Sequence, residues 1–174
     1  PGTFAHSEGV SVEDLGNRVA RVLPELFKQR EIRIRPGRDE KILTDWNGLM
    51  LRTVANAAAY LDRSDYRELA IKNAEFLIEK MWDGKRLLHG FKDGQARFNG
   101  YVDDYANLAD GLIALYELTF DPRWLNTAVE IVELMVDEFW DTENGGFFFT
   151  GNSHENLVAR TKEYFDNATP SGNS

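Results

Sequence analysis

The feature that most narrows what this chain can fold into is an internal repeat of 58 residues. Sliding the sequence by 58 sets Asp45 on Asp103, Tyr66 on Trp124, Ala70 on Ala128, Trp82 on Trp140 and Asp83 on Asp141, with no gap between the first and last pair. Each copy reads as helix, short turn, helix, then a segment rich in Gly and aromatic residues. In copy one these are expected over 46–61, 65–82 and 84–98; in copy two, over 104–119, 122–140 and 145–150. Tyr164-Phe165-Asp166 echoes Tyr101-Val102-Asp103 and reads as the start of a third copy. A tetratricopeptide array is disfavoured, because its period is about 34 residues.

The two helices of a copy differ in kind. Leu49, Met50, Leu51, Val54, Ala55, Ala57, Ala58, Ala59 and Leu61 leave almost no polar stripe, and Leu108 to Leu118 does the same with only Asp110 and Glu117 intervening. A helix apolar nearly all round is buried on most sides. The following helix is amphipathic: Tyr66, Leu69, Ala70, Ala74, Leu77 and Met81 recur at helical spacing between charged residues. One buried and one half-exposed helix per copy describes concentric inner and outer layers. The fold class is therefore all-α, built from paired antiparallel helices, with short β-hairpin segments after 82 and after 140. Ahead of the repeats, Ser11 with Asp14 marks the start of a helix over about 12–32, which Pro24 should kink or break. Residues 1–41 form an N-terminal lead-in. Residues 42–174 hold two helical hairpins and the start of a third.

Composition acts as a filter on function. Hydrophobic residues are 43% and charged residues 28% of the chain, which excludes wholesale disorder. There is no cysteine, so this chain has no disulfide, thiolate metal site or dithiol chemistry. No apolar run reaches the roughly 20 residues needed to span a bilayer, and no secretory signal opens the chain; the cytoplasm is the expected compartment. The net charge is −9, and Asp103 to Glu143 holds eleven acids against one base, Arg123. Such a surface repels nucleic acid and anionic membrane. The chain opens on Pro1 and closes on Ser174, and reads as a piece of a longer protein.

Three places combine polar density with the start of an expected inner helix: Thr44-Asp45-Trp46-Asn47-Gly48, Asp103-Asp104-Tyr105, and Asp166 to Asn173. If the inner helices run parallel, these starts gather on one rim. Paired carboxylates on a concave rim are what sugar chemistry uses, one as acid and another as base or nucleophile. Asp45, Asp103, Asp104 and Asp166 are the catalytic candidates. The competing reading is that each caps a helix N-terminus. Arg35 and Arg38 beside Pro36-Gly37, with Trp46, Asn47, Tyr105, His89 and His154, are candidate substrate-binding residues. For the two arginines a salt-bridged loop is the plainer reading, since Glu31, Asp39 and Glu40 are interleaved. The three histidines have no H-x-x-x-H spacing, so no metal site is expected, and no cofactor motif is present.

Arg35-Pro36-Gly37-Arg38-Asp39 followed by Lys41-Ile42-Leu43-Thr44-Asp45-Trp46-Asn47-Gly48 also carries a family resemblance. So do Asp103-Asp104-Tyr105-Ala106, Phe120-Asp121-Pro122-Arg123-Trp124, Gly145-Gly146-Phe147-Phe148 and Ala168-Thr169-Pro170-Ser171-Gly172-Asn173-Ser174. Over about residues 11–174 the chain resembles the thioredoxin-domain-containing proteins of the spermatogenesis-associated protein 20 type. The resemblance implies part of an (α/α)6 toroid of the six-hairpin glycosidase kind, akin to N-acylglucosamine 2-epimerases, and a thioredoxin-like domain elsewhere in the whole protein. Two functions follow as expectations, with enzyme status open. One is a carbohydrate-binding or carbohydrate-processing fragment, hydrolase-like or epimerase-like, taking a sugar or other small polar ligand on its acidic rim. The other is a non-enzymatic helical docking module that accompanies the thioredoxin-like domain. An open arc of hairpins leaves apolar flanks uncovered, so self-association is expected unless residues 1–41 fold back over them. The chain alone is expected to be catalytically silent on sugars.

Overall fold

The computed structural model describes residues 2–174. In chain order the elements are α1 (Gly2–Ser7), α2 (Val12–Glu31), β1 (Ile42–Leu43), α3 (Thr44–Leu61), α4 (Ser64–Met81), β2 (Leu88–Lys92), β3 (Gln95–Asn99), α5 (Val102–Thr119) and α6 (Pro122–Phe139). They fall into two compact units, one ending at Asp39 and the other running from Glu40 to Ser174.

In the first unit, α2 starts where the Ser11 hydroxyl accepts from the Asp14 N–H at 2.9 Å. It continues through Pro24, which removes one ladder hydrogen bond without ending the helix. No residue of α2 is buried.

In the second unit the helix boundaries reproduce the repeat. Shifted by 58, α3 lies on α5 and α4 on α6, end for end. The residues that close the inner helices are equivalent too: Asp62 and Phe120 both take left-handed conformations, with φ of 49° and 56°. The Trp-Asp motif has the same use in both copies. Asp83 Oδ1 accepts from the Lys85 and Arg86 N–H groups, and Asp141 Oδ1 accepts from those of Glu143 and Asn144. Each aspartate turns the chain so that the preceding Trp bridges to a returning apolar residue, Trp82 to Leu87 and Trp140 to Phe147.

Inner helices α3 and α5 run parallel at equal height, as cross-helix pairs along their length require. The Asp45 N–H donates to Asp104, and Arg52 pairs with Asp110 at 2.5 Å. Gly48 and Gly111 let the backbones touch. A Cβ on Gly48 would meet the Asn107 carbonyl carbon at 2.5 Å, and one on Gly111 the Gly48 oxygen at 2.8 Å. Around this contact lies one apolar cluster in which Leu51, Leu77, Met81, Leu108, Leu112, Leu115, Ile131 and Phe139 are fully buried.

Three expectations are corrected. Helix α3 is not buried all round: α5 and α4 cover two sides, and Trp46, Met50, Tyr60 and Leu61 are exposed on another. By contrast α5, between α3 and α6, buries ten residues. The hairpins are unequal. The first is a true β2–β3 hairpin closed by Asp93-Gly94, both with positive φ, and β1 adds to it through Ile42–Phe91 and Leu43–Gly90. The second is the single Trp140–Phe147 bridge. Finally, residues 151–174 contain no helix, so Asp166 does not begin one.

That terminal segment is nonetheless tied down. Arg160 donates to the Thr150 and Glu138 carbonyls, and Lys162 to Asp141 at 2.5 Å and to the Gly145 carbonyl at 2.6 Å. The Asn173 side chain pairs with both backbone groups of Phe147.

Candidate functional site

Because α3 and α5 are parallel, their first turns share one end of the second unit. The β2–β3 hairpin arrives at that end, and two hydroxyls fix where β2 begins. Thr44 Oγ1 donates to the Leu88 carbonyl at 2.6 Å, and the Tyr105 hydroxyl accepts from the Leu87 N–H at 2.9 Å. The next residue is His89. Its Nδ1 lies 2.9 Å from Asp104 Oδ2.

Asp104 is 1% exposed and sits in the first turn of α5. Its oxygens also accept from the Asp45 N–H at 2.9 Å and the Tyr101 N–H at 2.8 Å, the second being one half of a capping box. Burial pushes this carboxyl up, with the His89 ring as the main counterweight. The same hydrogen bond raises the His89 pKa above its ordinary value, against partial burial of the ring. With Nδ1 held by Asp104, Nε2 is the nitrogen left to exchange a proton with a ligand. The His89 side chain is 26% exposed. The Tyr101 ring meets it edge-on at 5.1 Å and stacks on Phe149.

Two further carboxylates flank this pair. Asp45 accepts from the Trp46 N–H, and the Trp46 ring is 60% exposed beside it. Asp103 accepts from the Gly172 N–H at 2.7 Å; burial pushes its carboxyl up, and the charges of Glu163 and Asp45 add to the effect. Asp45, His89 and Asp104 present donor atoms within 4.8 Å of one another, a set that could hold a cation. The spacing of the histidines in sequence gave no sign of it. As the side chains stand, both Asp104 oxygens are occupied by N–H donors.

The other candidates are placed as follows. Asp166 lies in a turn of the terminal segment and accepts from the Ser171 N–H, one residue before the group that binds Asp103. Asn47 binds the Leu43 carbonyl through its side chain and accepts from Asn73 at its backbone, so it fastens α3 rather than facing a ligand. Tyr105 is 3% exposed and belongs to the core. His154 packs on Tyr101 and Phe139, accepts from the Gly151 N–H at Nδ1, and has a buried Nε2 with no partner. Arg35 pairs with Glu31 within the first unit, as the salt-bridged reading has it, and Arg38 belongs to that unit too. Sequence reasoning named His89 and Asp104 without joining them. The Asp93-Gly94 turn, which fixes the hairpin carrying His89, was the available signal.

No family model matches the chain. Spermatogenesis-associated protein 20 of Homo sapiens is 32% identical over 177 residues, covering 95% of this chain. The Rattus norvegicus protein of the same name is 31% identical over the same share. The chain belongs to the spermatogenesis-associated protein 20 type. It spans 22% of the length of these curated relatives. Among solved structures, a GH76 α-mannanase of Bacteroides thetaiotaomicron matches with a TM-score of 0.54 and 17% identity, over 64% of this chain and 31% of that one. That likeness shows the fold, a partial (α/α)6 toroid of helical hairpins. No helix of the described residues is long and apolar enough to cross a membrane.

Proposed function

We propose that residues 40–174 supply part of the wall of a carbohydrate site in which His89, oriented by Asp104, handles a proton. The observation that carries this is the 2.9 Å contact between the half-exposed His89 ring and a carboxylate buried beneath it. A buried acid on Nδ1 fixes the ring's orientation and favours its protonated form, so Nε2 can give a proton to, or take one from, a hydroxyl or ring oxygen. Asp104 touches no ligand in this reading; it is a positioning residue. Asp45 and Asp103 are the carboxylates within reach of a polyhydroxylated ligand, and Trp46 offers an aromatic face for a sugar ring. The α-mannanase with this fold acts, by its name, on a mannan, which supports the substrate class by analogy only. The proton-handling step belongs to the whole protein, whose thioredoxin-like domain and further hairpins are part of this proposal, and the 174-residue chain is expected to bind weakly and turn nothing over.

NMR of the histidine rings during titration with mannose, glucose and N-acetylglucosamine tests it. A saturable shift of the His89 resonances, lost in Trp46→Ala, is the expected result. If the full-length protein gives no His89 response to any sugar, the docking-module reading takes its place.

A further inference from the structure

We infer that α2 is a self-pairing surface, joining two copies of this chain as an antiparallel two-helix seam. Val12, Leu15, Val19, Val22 and Leu26 follow one another at steps of three and four residues, the spacing of a narrow coiled-coil stripe. Val12, Val19, Val22 and Leu26 are all exposed, in a helix with no buried residue. A helix of 20 residues is about 30 Å long, enough for the four apolar layers that Leu15, Val19, Val22 and Leu26 make with a second copy, Val12 lying beyond them opposite Gln29. Pro24 falls on the outer side, away from the stripe, so its ring and missing N–H do not disturb the seam.

The flanking residues select the partner and its direction. With Val19 facing Val22 of a second copy, Leu15 faces Leu26 of that copy, and the arrangement maps onto itself under a two-fold axis. On one side of the stripe, Arg18 then meets Glu25 of the second copy, twice by symmetry. Arg18 has no ion-pair partner among the described residues, and Glu25 holds only the exposed Lys28 of its own helix. On the other side, Leu23 of each copy lies over Gly16 of the other. No atom comes within 4 Å of a Cβ built on Gly16, so Leu23 has room there. The acidic first turn (Glu13, Asp14) also meets the basic last turn (Lys28, Arg30), and the helix dipoles oppose. A parallel pair would instead stack like-charged ends and set Arg18 against Leu23.

Light scattering of the 174-residue chain over a concentration series tests this. The expected result is a transition from 19.9 kDa to twice that mass. Arg18→Glu and Glu25→Arg are each expected to weaken pairing by about tenfold, since each turns two attractive contacts into repulsive ones. The double variant is expected to restore it, and circular dichroism checks that all three stay folded. Spin labels introduced by Glu13→Cys are expected to lie about 22 Å or more apart, as the opposed ends of an antiparallel pair. A chain that stays monomeric, pairing indifferent to the charge reversals, or closely spaced labels would each overturn the proposal.

Discussion

A carboxylate that is 1% exposed and accepts from three N–H donors has little freedom left, and Asp104 is such a group. Its effect is exported through His89. In Asp104→Asn the amide keeps the shape but loses the charge, so the His89 pKa should fall back toward the ordinary value of about 6.5. A ring titration by NMR reads this directly, and an unchanged His89 would sink the pairing. Stability carries the same sign. A histidine whose folded pKa is raised contributes stability that is complete below its unfolded pKa and lost as pH rises through the folded one. The stability gap between the native chain and His89→Gln should therefore be widest below the ordinary histidine value of about 6.5 and narrow as the pH is raised above it. Asp104 stood out in the sequence as a polar group at a helix start, and His89 as a candidate in the segment that follows an outer helix. Their pairing did not, because it depends on a hairpin register and on two buried hydroxyls, Thr44 and Tyr105, which no local pattern displays.

At the scale of the element, the 58-residue period made the helices legible to their ends, since Asp45, Tyr66 and Trp82 repeat as Asp103, Trp124 and Trp140. What it hid is how closely the inner helices approach. Gly48 and Gly111 read as weak points in a helix, each about 1 kcal/mol worse than Ala by propensity alone. In the structure they are the contact itself. Gly48→Ala should consequently destabilise the chain by about 2 kcal/mol or more, because the clash is with backbone that cannot rotate away. Chemical denaturation decides between the two views: stabilisation by the alanine would mean that α3 and α5 stand further apart. The third hairpin illustrates the opposite error. Tyr164-Phe165-Asp166 carries the right residue types, but within these 174 residues no neighbouring helix is present to bury them, and Tyr164 and Phe165 remain exposed. Pattern alone does not make a helix whose apolar face has nothing to cover it.

For the whole molecule, two stretches without regular structure should behave in opposite ways toward trypsin, and the difference follows from what holds each. Residues 33–41 link the two units. Ile34 is exposed there, as is Ile32 just before it, Arg33 makes only a backbone turn contact, and the Arg35 pair with Glu31 is a surface one. Residues 160–174 are equally irregular, yet Arg160 is bound to two carbonyls and Asn152, and the Lys162 ammonium is enclosed by Asp141, the Gly145 carbonyl and the Phe148 ring. A protease needs a segment that can leave its surroundings, so hydrogen bonding rather than secondary structure sets the order of cleavage. The first cuts are expected after Arg33, the Arg35–Pro36 bond being resistant to trypsin, with Arg160 and Lys162 resisting under the same conditions. All of the apolar cluster, from Leu51 to Phe139, lies beyond the early cuts. The released piece that contains Glu40–Ser174 should keep its helicity and melt within about 4 °C of the intact chain, which for a unit of this size is about 1 kcal/mol. Mass spectrometry of a digestion series gives the order of the cuts, and circular dichroism of the purified product gives the melting point. Early loss of the terminal segment, or collapse of the released piece, would mean that the first unit and the terminal segment have exchanged roles in holding the fold.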